Sequence, residues 1–314
     1  MTRGIATLPW GQVSYLEWSP DEQTGCDVLL LHGAGVDSAE LSWGEIGPGL
    51  AAAGHRVIAP DHPGFGQSPP APWPATQDRL VRYVGEFVDA LGLQAYAIGG
   101  LSLGGGMTIG HVLARPEQVR RAMMLGAYGF MPRLTDGALS RPTQLLTWAM
   151  VRTGLLEAVT RRLAADGRTL DWSLSRIVRD PVRRTPELMA AVRAATRTGH
   201  GMREYAQWQR DQVRWNRLKT DYTARLPGFA RPALIIHGDR DVGVPVARAV
   251  AAAKLIPDAT LLVLANKQDF HAVNLTKSRD HGRVVTEGSI TMQFDEFVAN
   301  QFNVILGLRT LLMS

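Results

Sequence analysis

The stretch that decides the fold reads Ala97-Ile98-Gly99-Gly100-Leu101-Ser102-Leu103-Gly104-Gly105-Gly106-Met107. An apolar run ends in glycines, presents one serine, and continues through residues 108–114 with a helical pattern. Residues 100–104 fit the G-x-S-x-G pattern of a sharp strand-to-helix turn with the serine at its apex. Glycine two positions away on either side avoids the collisions that bulky residues would make at such a strained turn. The pattern therefore predicts that Ser102 is a nucleophile.

The composition is that of an ordinary globular protein, with 45% apolar and 20% charged residues among 314. This length allows one large core, or a core with a smaller domain. The single cysteine, Cys26, excludes an internal disulfide framework and a cysteine-based metal site. The sequence shows neither a signal peptide nor an apolar run of about 18 residues. We therefore expect a soluble, cytoplasmic protein with no membrane partner.

The net charge of +5 is unevenly distributed along the chain. Residues 128–231 hold 19 Lys or Arg and 9 Asp or Glu, a net charge of +10, so the remainder carries −5. Three tryptophans lie among these arginines, but the segment shows no known nucleic-acid-binding module. We interpret the arginines as solvated helical faces whose stems cover apolar surface. Attraction of an anionic substrate is the alternative, and no nucleic-acid partner is expected.

Short apolar runs alternate with helical patterns along most of the chain. The predicted strands are 10–18 (as an edge strand), 27–31, 56–59, 96–99, 121–125, 233–236 and 260–264. The predicted helices outside the central segment are 43–53, 77–91, the one that follows Ser102, and 245–255. Such alternation predicts an α/β protein whose mostly parallel sheet has helices on both faces.

The alternation stops between residues 128 and 229. This segment contains helical patterns and no convincing strand; the patterns cover 143–165, 172–179, 186–198 and 201–219. We therefore predict a helical cap over 128–229, inserted into a core formed by 1–127 and 230–314. Beyond residue 264 we expect loop, a hairpin across 286–289 and a final helix from about residue 295.

Together these pieces resemble the α/β-hydrolase superfamily with a helical cap. The resemblance rests on the turn at Ser102, the inserted helices, and three further motifs, which are His32-Gly33, Asp61-x-x-Gly64-x-Gly66-x-Ser68 and His237-Gly238-Asp239-Arg240-Asp241-Val242-Gly243-Val244-Pro245. It implies a doubly wound, mostly parallel sheet with the cap inserted after the sixth strand. It also implies a catalytic triad in the chain order serine, acid, histidine.

The resemblance assigns the triad residue by residue. A serine hydroxyl needs a general base and a third group that orients the base. In the G-x-x-D pattern with a following proline, Asp241 is favoured over Asp239 as the acid. His271, 30 residues after the acid, is the expected base, with His281 or the absence of a base as alternatives.

Two backbone N–H groups are expected to form the oxyanion hole. Leu103 would supply one, and Ala34 the other by analogy with the family. The remaining expected substrate contacts are one glycine of the same turn and three aromatic residues on or near the cap, namely Gly33, Tyr128, Trp148 and Trp208. Other polar residues of the motifs are expected to serve the fold, namely His32, Asp61, His62, His111 and His237.

The sequence favours cofactor-free hydrolysis of a small-molecule ester or related acyl compound, as in carboxylesterases. Epoxide hydrolases and haloalkane dehalogenases of this fold attack with aspartate, where this chain has Ser102. No metal-binding pattern occurs. Two alternatives remain, which are cleavage of a carbon–carbon bond next to a carbonyl and a non-catalytic, ligand-binding member of the fold. The sequence also leaves a homodimer open.

Overall fold

The computed structural model describes residues 1–165, 169–172, 184–239, 241, 243–264 and 270–273. Within this part of the chain, one nine-stranded sheet has the order β1-β2-β4-β3-β5-β6-β7-β8-β9. Its strands are Thr2–Leu8 (β1), Gly11–Trp18 (β2), Val28–Leu31 (β3), Val57–Pro60 (β4), Tyr96–Leu101 (β5), Val119–Leu125 (β6), Ala233–Gly238 (β7), Ala259–Leu264 (β8) and Phe270–Val273 (β9). The six strands from β4 to β8 in this order pair in parallel, and β1, β2 and β9 join through antiparallel pairs.

Helices cover both faces of this sheet. In the described residues they are Ala39–Trp43 (α1), Ile46–Ala52 (α2), Gln77–Ala90 (α3), Leu103–Ala114 (α4), Ser140–Thr153 (α5), Leu155–Ala165 (α6), Pro186–Thr198 (α7), Met202–Gln212 (α8) and Val246–Leu255 (α9). In β3, Leu29 and Leu31 join the core beneath α3 and α4, whereas Leu30 joins the core beneath α1 and α2. The continuous apolar run of β3 thus reflects burial on both faces, which confirms the predicted fold class.

The outer edge of the sheet differs from the prediction. The sequence predicts residues 10–18 as an edge strand, but in the structure β1 lies outside this strand and pairs with it from Thr2↔Glu17 to Leu8↔Gly11. Within β1 the buried side chains are Ala6 and Leu8. The apolar pattern of this strand is too short to stand out from the sequence.

Two predicted helices have different bounds in the structure. The predicted helix 43–53 corresponds to the shorter α2, and a separate helix, α1, lies before it and shares only Trp43 with the predicted range. The predicted helix 143–165 is divided into α5 and α6 at Gly154, which has φ +76°. Glycine accepts this left-handed conformation and ends α5.

In the described residues, four α-helices, α5 to α8, lie between the sixth strand and β7, where the sequence predicted a helical insertion. The predicted helix 201–219 is shorter in the structure, because α8 ends at Gln212. In the described part of this segment, strand-like pairing is confined to an isolated bridge between Val213 and Leu218. The predicted helix 172–179 lies outside the described residues except at its first position. The limits of the cap at 128 and 229 stay a prediction.

The chain after β8 departs from the expected loop. Residues 270–273 form β9, antiparallel to β8, with Phe270 opposite Leu264. The predicted hairpin at 286–289 and the final helix lie outside the described residues. Among the helices that are described, none has the length and apolar character needed to cross a bilayer.

We predict that Gly100→Ala strongly destabilises the fold. A Cβ at this position would lie 2.2 Å from the backbone carbonyl of Gly104, so the end of β5 and the start of α4 would have to separate. We expect a loss of about 2 kcal/mol or more in the free energy of unfolding, measured by urea titration. Gly49→Ala is the matched control, because Gly49 lies in α2 with open space around it. This control should gain about 0.5–1 kcal/mol; equal stabilities of the two variants would contradict the packing argument.

Candidate active site

Ser102 occupies a strained turn between β5 and α4. Its φ is +51° and its ψ is −108°, which few non-glycine residues adopt, and the residue is buried. The Ser102 N–H donates to the Leu125 carbonyl (2.9 Å), and the Ser102 carbonyl accepts from the N–H of Tyr128 (3.0 Å). Hydrogen bonds to other elements therefore hold the backbone of the predicted nucleophile in a conformation that costs about 1–3 kcal/mol.

Gly104 brings a second segment against this turn. A Cβ on Gly104 would lie 2.3 Å from the Leu31 carbonyl oxygen and 2.5 Å from that of His32. The first turn of α4 therefore lies directly against the end of β3, where the turn carrying Ala34 begins. Leu103 is the first residue of α4, and N–H groups in the first turn of a helix have no acceptor within the helix. The two predicted oxyanion donors are thus carried by segments in direct contact.

Two buried histidines organise the turn after β3. The His62 N–H donates to His32 Nε2 (2.9 Å), which leaves the proton of His32 on Nδ1 for donation to the Gly33 carbonyl (2.8 Å). His62 Nε2 donates to the His32 carbonyl (3.0 Å), so its Nδ1 accepts from the Tyr83 hydroxyl (2.8 Å). Burial lowers the pKa of His32 to about 3 and that of His62 well below its usual value. Both imidazoles are therefore neutral and serve the fold.

A buried carboxylate that none of the sequence motifs indicates accepts hydrogen bonds from the same turn. Asp37 accepts hydrogen bonds from the N–H of Gly33 (2.6 Å), the N–H of Ser38 (2.8 Å) and the hydroxyl of Ser42 (2.7 Å). Burial raises the pKa of Asp37 to about 7, against the opposing effect of these three donors. The signal available in the sequence was an aspartate that directly precedes a helix-capping serine, Ser38.

Asp61 has a structural environment, as expected. Its carboxylate accepts from Arg3 of β1 (2.8 Å) and from the N–H groups of Ala39 (2.9 Å) and Gln67 (3.0 Å). The side chain of Asp61 is 1% exposed and that of Arg3 is 25% exposed. This ion pair ties the edge strand to the segments that flank the site.

Asp241 follows β7 and is buried, whereas its competitor Asp239 is exposed. Asp241 Oδ1 accepts from the N–H groups of Gly243 (2.7 Å) and Val244 (3.0 Å), which directs the carboxylate within a tight turn. Its Oδ2 lies 3.4 Å from His237 Nε2. His237 donates to the Val244 carbonyl (2.7 Å), and burial lowers its pKa, so it supports the turn as a neutral group.

The expected base, His271, lies in β9, the last strand that the structure describes. The backbone of His271 belongs to β9 and pairs opposite Val263, which in turn pairs with His237. This register puts His271 at the same edge of the sheet as Ser102 and Asp241. At about 4.8 Å per strand, its backbone is roughly 10 Å from β7 and roughly 19 Å from β5. The side chain of His271 and the whole of His281 lie outside the described residues.

Two of the residues predicted to contact the substrate, Tyr128 and Trp208, make hydrogen bonds within the protein. Tyr128 donates to Gln212 Oε1 (3.0 Å) and packs against Trp208 with ring centroids 4.8 Å apart. Trp208 donates to Gln77 Oε1 (2.8 Å), and both aromatic rings are buried. Trp148 packs, partly buried, against the same core. Direct substrate contact by these side chains and by Gly33, whose N–H is bonded to Asp37, stays a prediction.

The cap contacts the site at a point that the sequence did not indicate. The Gly201 N–H, at the start of α8, donates to the Gly64 carbonyl (2.8 Å). A Cβ on Gly201 would lie 2.2 Å from the carbonyl oxygen of Gly35, in the turn that carries Ala34. His200 Nδ1 lies 2.8 Å from the Gly66 carbonyl. The cap is therefore in direct contact with both loops beside the site.

The strained serine, the turn after β3 and the aspartate after β7 define an α/β hydrolase. Residues 27–272 match the family described as the alpha/beta hydrolase fold, and the chain belongs to this family. Among solved structures, the enol-lactonase from Burkholderia xenovorans LB400 is similar with a TM-score of 0.64 at 20% identity, over 83% of this chain and 91% of that one. At this level of identity the likeness shows the shared fold.

Two of the similar proteins are named as hydrolases of unsaturated oxo compounds. Over 125 residues the chain is 38% identical to a 2-hydroxymuconate semialdehyde hydrolase of Pseudomonas putida, a stretch that covers 37% of this chain and 42% of the relative. Over 241 residues it is 29% identical to a 2-hydroxy-6-oxo-6-(2'-aminophenyl)hexa-2,4-dienoic acid hydrolase of Metapseudomonas resinovorans, covering 75% of this chain and 74% of the relative. The chain thus matches less than half the length of the first relative and about three quarters of the second.

We predict that Ser102→Gly is more stable than Ser102→Ala by about 1 kcal/mol in the free energy of unfolding. Glycine relieves the positive φ, a gain of about 1–3 kcal/mol that is partly offset by its greater freedom when unfolded. Urea unfolding of both variants measures the difference. At Gly49, a regular helical position, the same comparison should have the opposite sign. A more stable alanine at both positions would contradict the strained geometry of Ser102.

Proposed function

We propose that this chain is a serine hydrolase that cleaves a carbon–carbon bond next to a carbonyl in an acidic, conjugated small molecule. The observation that carries the proposal is Ser102 on a strained turn at the sheet edge that also holds the buried Asp241. Two relatives named for the hydrolysis of a muconate semialdehyde and a 6-oxo-dienoic acid support this substrate class. The ester cleavage favoured by the sequence uses the same first step and becomes the second candidate.

The proposed reaction begins with attack of Ser102 Oγ on the carbonyl carbon. A histidine after β8, with His271 as the first candidate and His281 as the second, accepts the hydroxyl proton. Asp241 orients this imidazole and stabilises its charged form. The oxygen of the tetrahedral intermediate accepts hydrogen bonds from the N–H groups of Leu103 and Ala34. The positive end of α4 favours the same developing charge.

Collapse of the intermediate breaks the carbon–carbon bond. The electron pair passes to the departing carbon, and the protonated histidine returns a proton to that fragment. A carbon leaving group needs conjugation to an oxygen that can hold the charge. In the 2-hydroxy-dienoic acid named for one relative the departing carbon is vinylic, so the proton of the 2-hydroxyl group must move to this carbon before the bond breaks. In the resulting 2-oxo tautomer the electron pair is delocalised through the remaining alkene onto the 2-oxygen as an enolate. Water, activated by the same histidine, then hydrolyses the acyl-enzyme and releases a carboxylic acid.

The charge of the cap is consistent with an acidic substrate. Residues 128–231 carry a net charge of +10, while the rest of the chain is negative. Several cap arginines are engaged in ion pairs, such as Arg210 with Glu157 (2.7 Å) and Arg193 with Asp171 (2.5 Å). The excess of arginine nevertheless leaves the segment strongly basic. A positive potential over the site raises the local concentration of an anion.

We predict that hydrolysis of a 2-hydroxy-6-oxo-dienoic acid, followed by loss of its ultraviolet chromophore, depends on Ser102 and Asp241. Ser102→Ala should lower kcat by at least about 10⁴-fold, and Asp241→Asn by about 10²–10⁴-fold. Asp239→Asn is the matched control for the acid and should retain activity, because Asp239 is exposed. An Asp239 variant as impaired as the Asp241 variant would contradict the assignment.

The base is identified by alanine variants of the two candidate histidines. Exactly one of His271→Ala and His281→Ala should lower kcat to near the level of Ser102→Ala, because one imidazole carries the proton in both steps. His55→Ala is the control, since His55 precedes β4 at the opposite edge of the sheet.

A short p-nitrophenyl ester assayed in parallel decides between substrate classes. Faster turnover of the ester would favour an esterase, and equal inactivity of wild type and Ser102→Ala on both substrates would favour a ligand-binding role.

A further inference from the structure

Asp37 lies beneath the turn that joins β3 to α1. The residue is 1% exposed, and its carboxylate accepts three hydrogen bonds from groups of this turn and of α1, the shortest from the Gly33 N–H at 2.6 Å. No step of the proposed reaction uses this group. Removing a carboxylate from water is costly, and the three hydrogen bonds offset part of this cost. We therefore ask what these hydrogen bonds do for the turn.

The hydrogen bonds around Gly33 restrain two successive peptide planes. The Asp37 carboxylate accepts a hydrogen bond from the N–H of Gly33, and this N–H belongs to the peptide that links His32 to Gly33. His32 Nδ1 donates a hydrogen bond to the carbonyl of Gly33, and this carbonyl belongs to the peptide that links Gly33 to Ala34. In a trans peptide the carbonyl and the N–H point in opposite directions. The direction of the Ala34 N–H is therefore set by the anchors on both sides of Gly33.

We propose that Asp37 is a positioning residue that aims the Ala34 N–H at the oxyanion, and that it does so in its ionised form. The inference rests on the proposed function, since it requires that Ser102 reacts and that Ala34 is an oxyanion donor. Ionised carboxylates are the stronger acceptors, and charge-assisted hydrogen bonds are shorter and about twice as strong as neutral ones. Protonation of Asp37 would loosen the Gly33 N–H and with it the peptide that carries the donor.

The surroundings place this ionisation in an accessible pH range. Burial raises the pKa of Asp37 to about 7, and the negative charge of Asp61 acts in the same direction. Asp61 is itself paired with Arg3, which also approaches Glu40 (3.7 Å). The neighbouring His32 and His62 are neutral, as their hydrogen bonds require. Ser42 and the two N–H donors favour the ionised form.

The test compares wild type with Asp37→Asn, because asparagine resembles the protonated carboxyl in shape and charge. The measured quantity is the rate constant for phosphonylation of Ser102 by a fluorophosphonate, followed by mass spectrometry from pH 5.5 to 9. This reaction reports the nucleophile and the oxyanion hole without any assumption about the natural substrate. Ionisation of the catalytic histidine affects both proteins alike, so the ratio of their rate constants reports Asp37 alone.

We expect this ratio to be about tenfold above pH 8 and to approach 1 near pH 5.5, with a midpoint near 7. A tenfold effect is below the roughly 10²–10³-fold loss that follows removal of an oxyanion donor. Ser42→Ala should move the midpoint to higher pH, because it removes a donor that stabilises the ionised carboxylate. Asp21→Asn, a matched change at an exposed turn, should give a ratio of 1 throughout.

The outcomes separate the two proposals. Labelling of Ser102 with a ratio that does not change with pH overturns the role of Asp37 and leaves the proposed function standing. Absence of labelling in wild type overturns both. Labelling with the expected ratio but without turnover of the dienoic acid or the ester supports Asp37 and overturns the proposed substrate classes.

Folding is checked by the pH dependence of unfolding. The raised pKa of Asp37 means that the folded state holds this proton more tightly than the unfolded state does. Its contribution to stability is therefore present below the unfolded pKa and lost as pH rises to about 7. Asp37→Asn should lack this component and be folded at pH 8, so a lower rate there would reflect the active site and not unfolding.

Discussion

The structure depends on the close approach of the first turn of α4 to the ends of β3 and β5. Two glycines permit it, since a Cβ on Gly100 would strike the backbone of Gly104, and one on Gly104 would strike the carbonyls that end β3. This approach forces Ser102 into a positive φ, and hydrogen bonds from both directions hold it there. Strain of this kind persists where the surrounding structure over-determines the backbone. The side chain of Ser102 is thereby carried by a backbone that is fixed in position.

A second layer of constraint surrounds the turn after β3. Its hydrogen bonds require His32 and His62 to be neutral and join them to Tyr83 of α3. Asp37 and Asp61 are the two carboxylates of this region. Asp37 accepts a hydrogen bond from the turn itself, and Asp61 forms an ion pair with Arg3 of β1. The cap reaches the same place through Gly201. The turn that carries Ala34 is thus held by contacts with the core helices and with the segment inserted after β6.

The elements that sequence reasoning predicted well are those with strong local signals. The apolar run of β3 and the alternating apolar face of α3, with Leu80, Val84 and Phe87 buried, appear where expected. Elements with weak signals were misjudged. β1 buries few side chains and is held by pairing with β2, and β9 is held by pairing with β8. Such pairing depends on residues distant in sequence, which local patterns do not report.

By itself, the sequence determined the fold class and the strand-to-helix turn at Ser102. These follow from local rules, because glycine spacing, apolar runs and turn residues act over a few positions. The tertiary structure alone decided which polar groups are buried together. It placed Asp37 beneath the turn of Ala34, set the tautomers of His32 and His62, and brought Gly201 of the cap to the same loop. The physical reason is that burial and hydrogen bonding between distant segments exist only once the chain has packed.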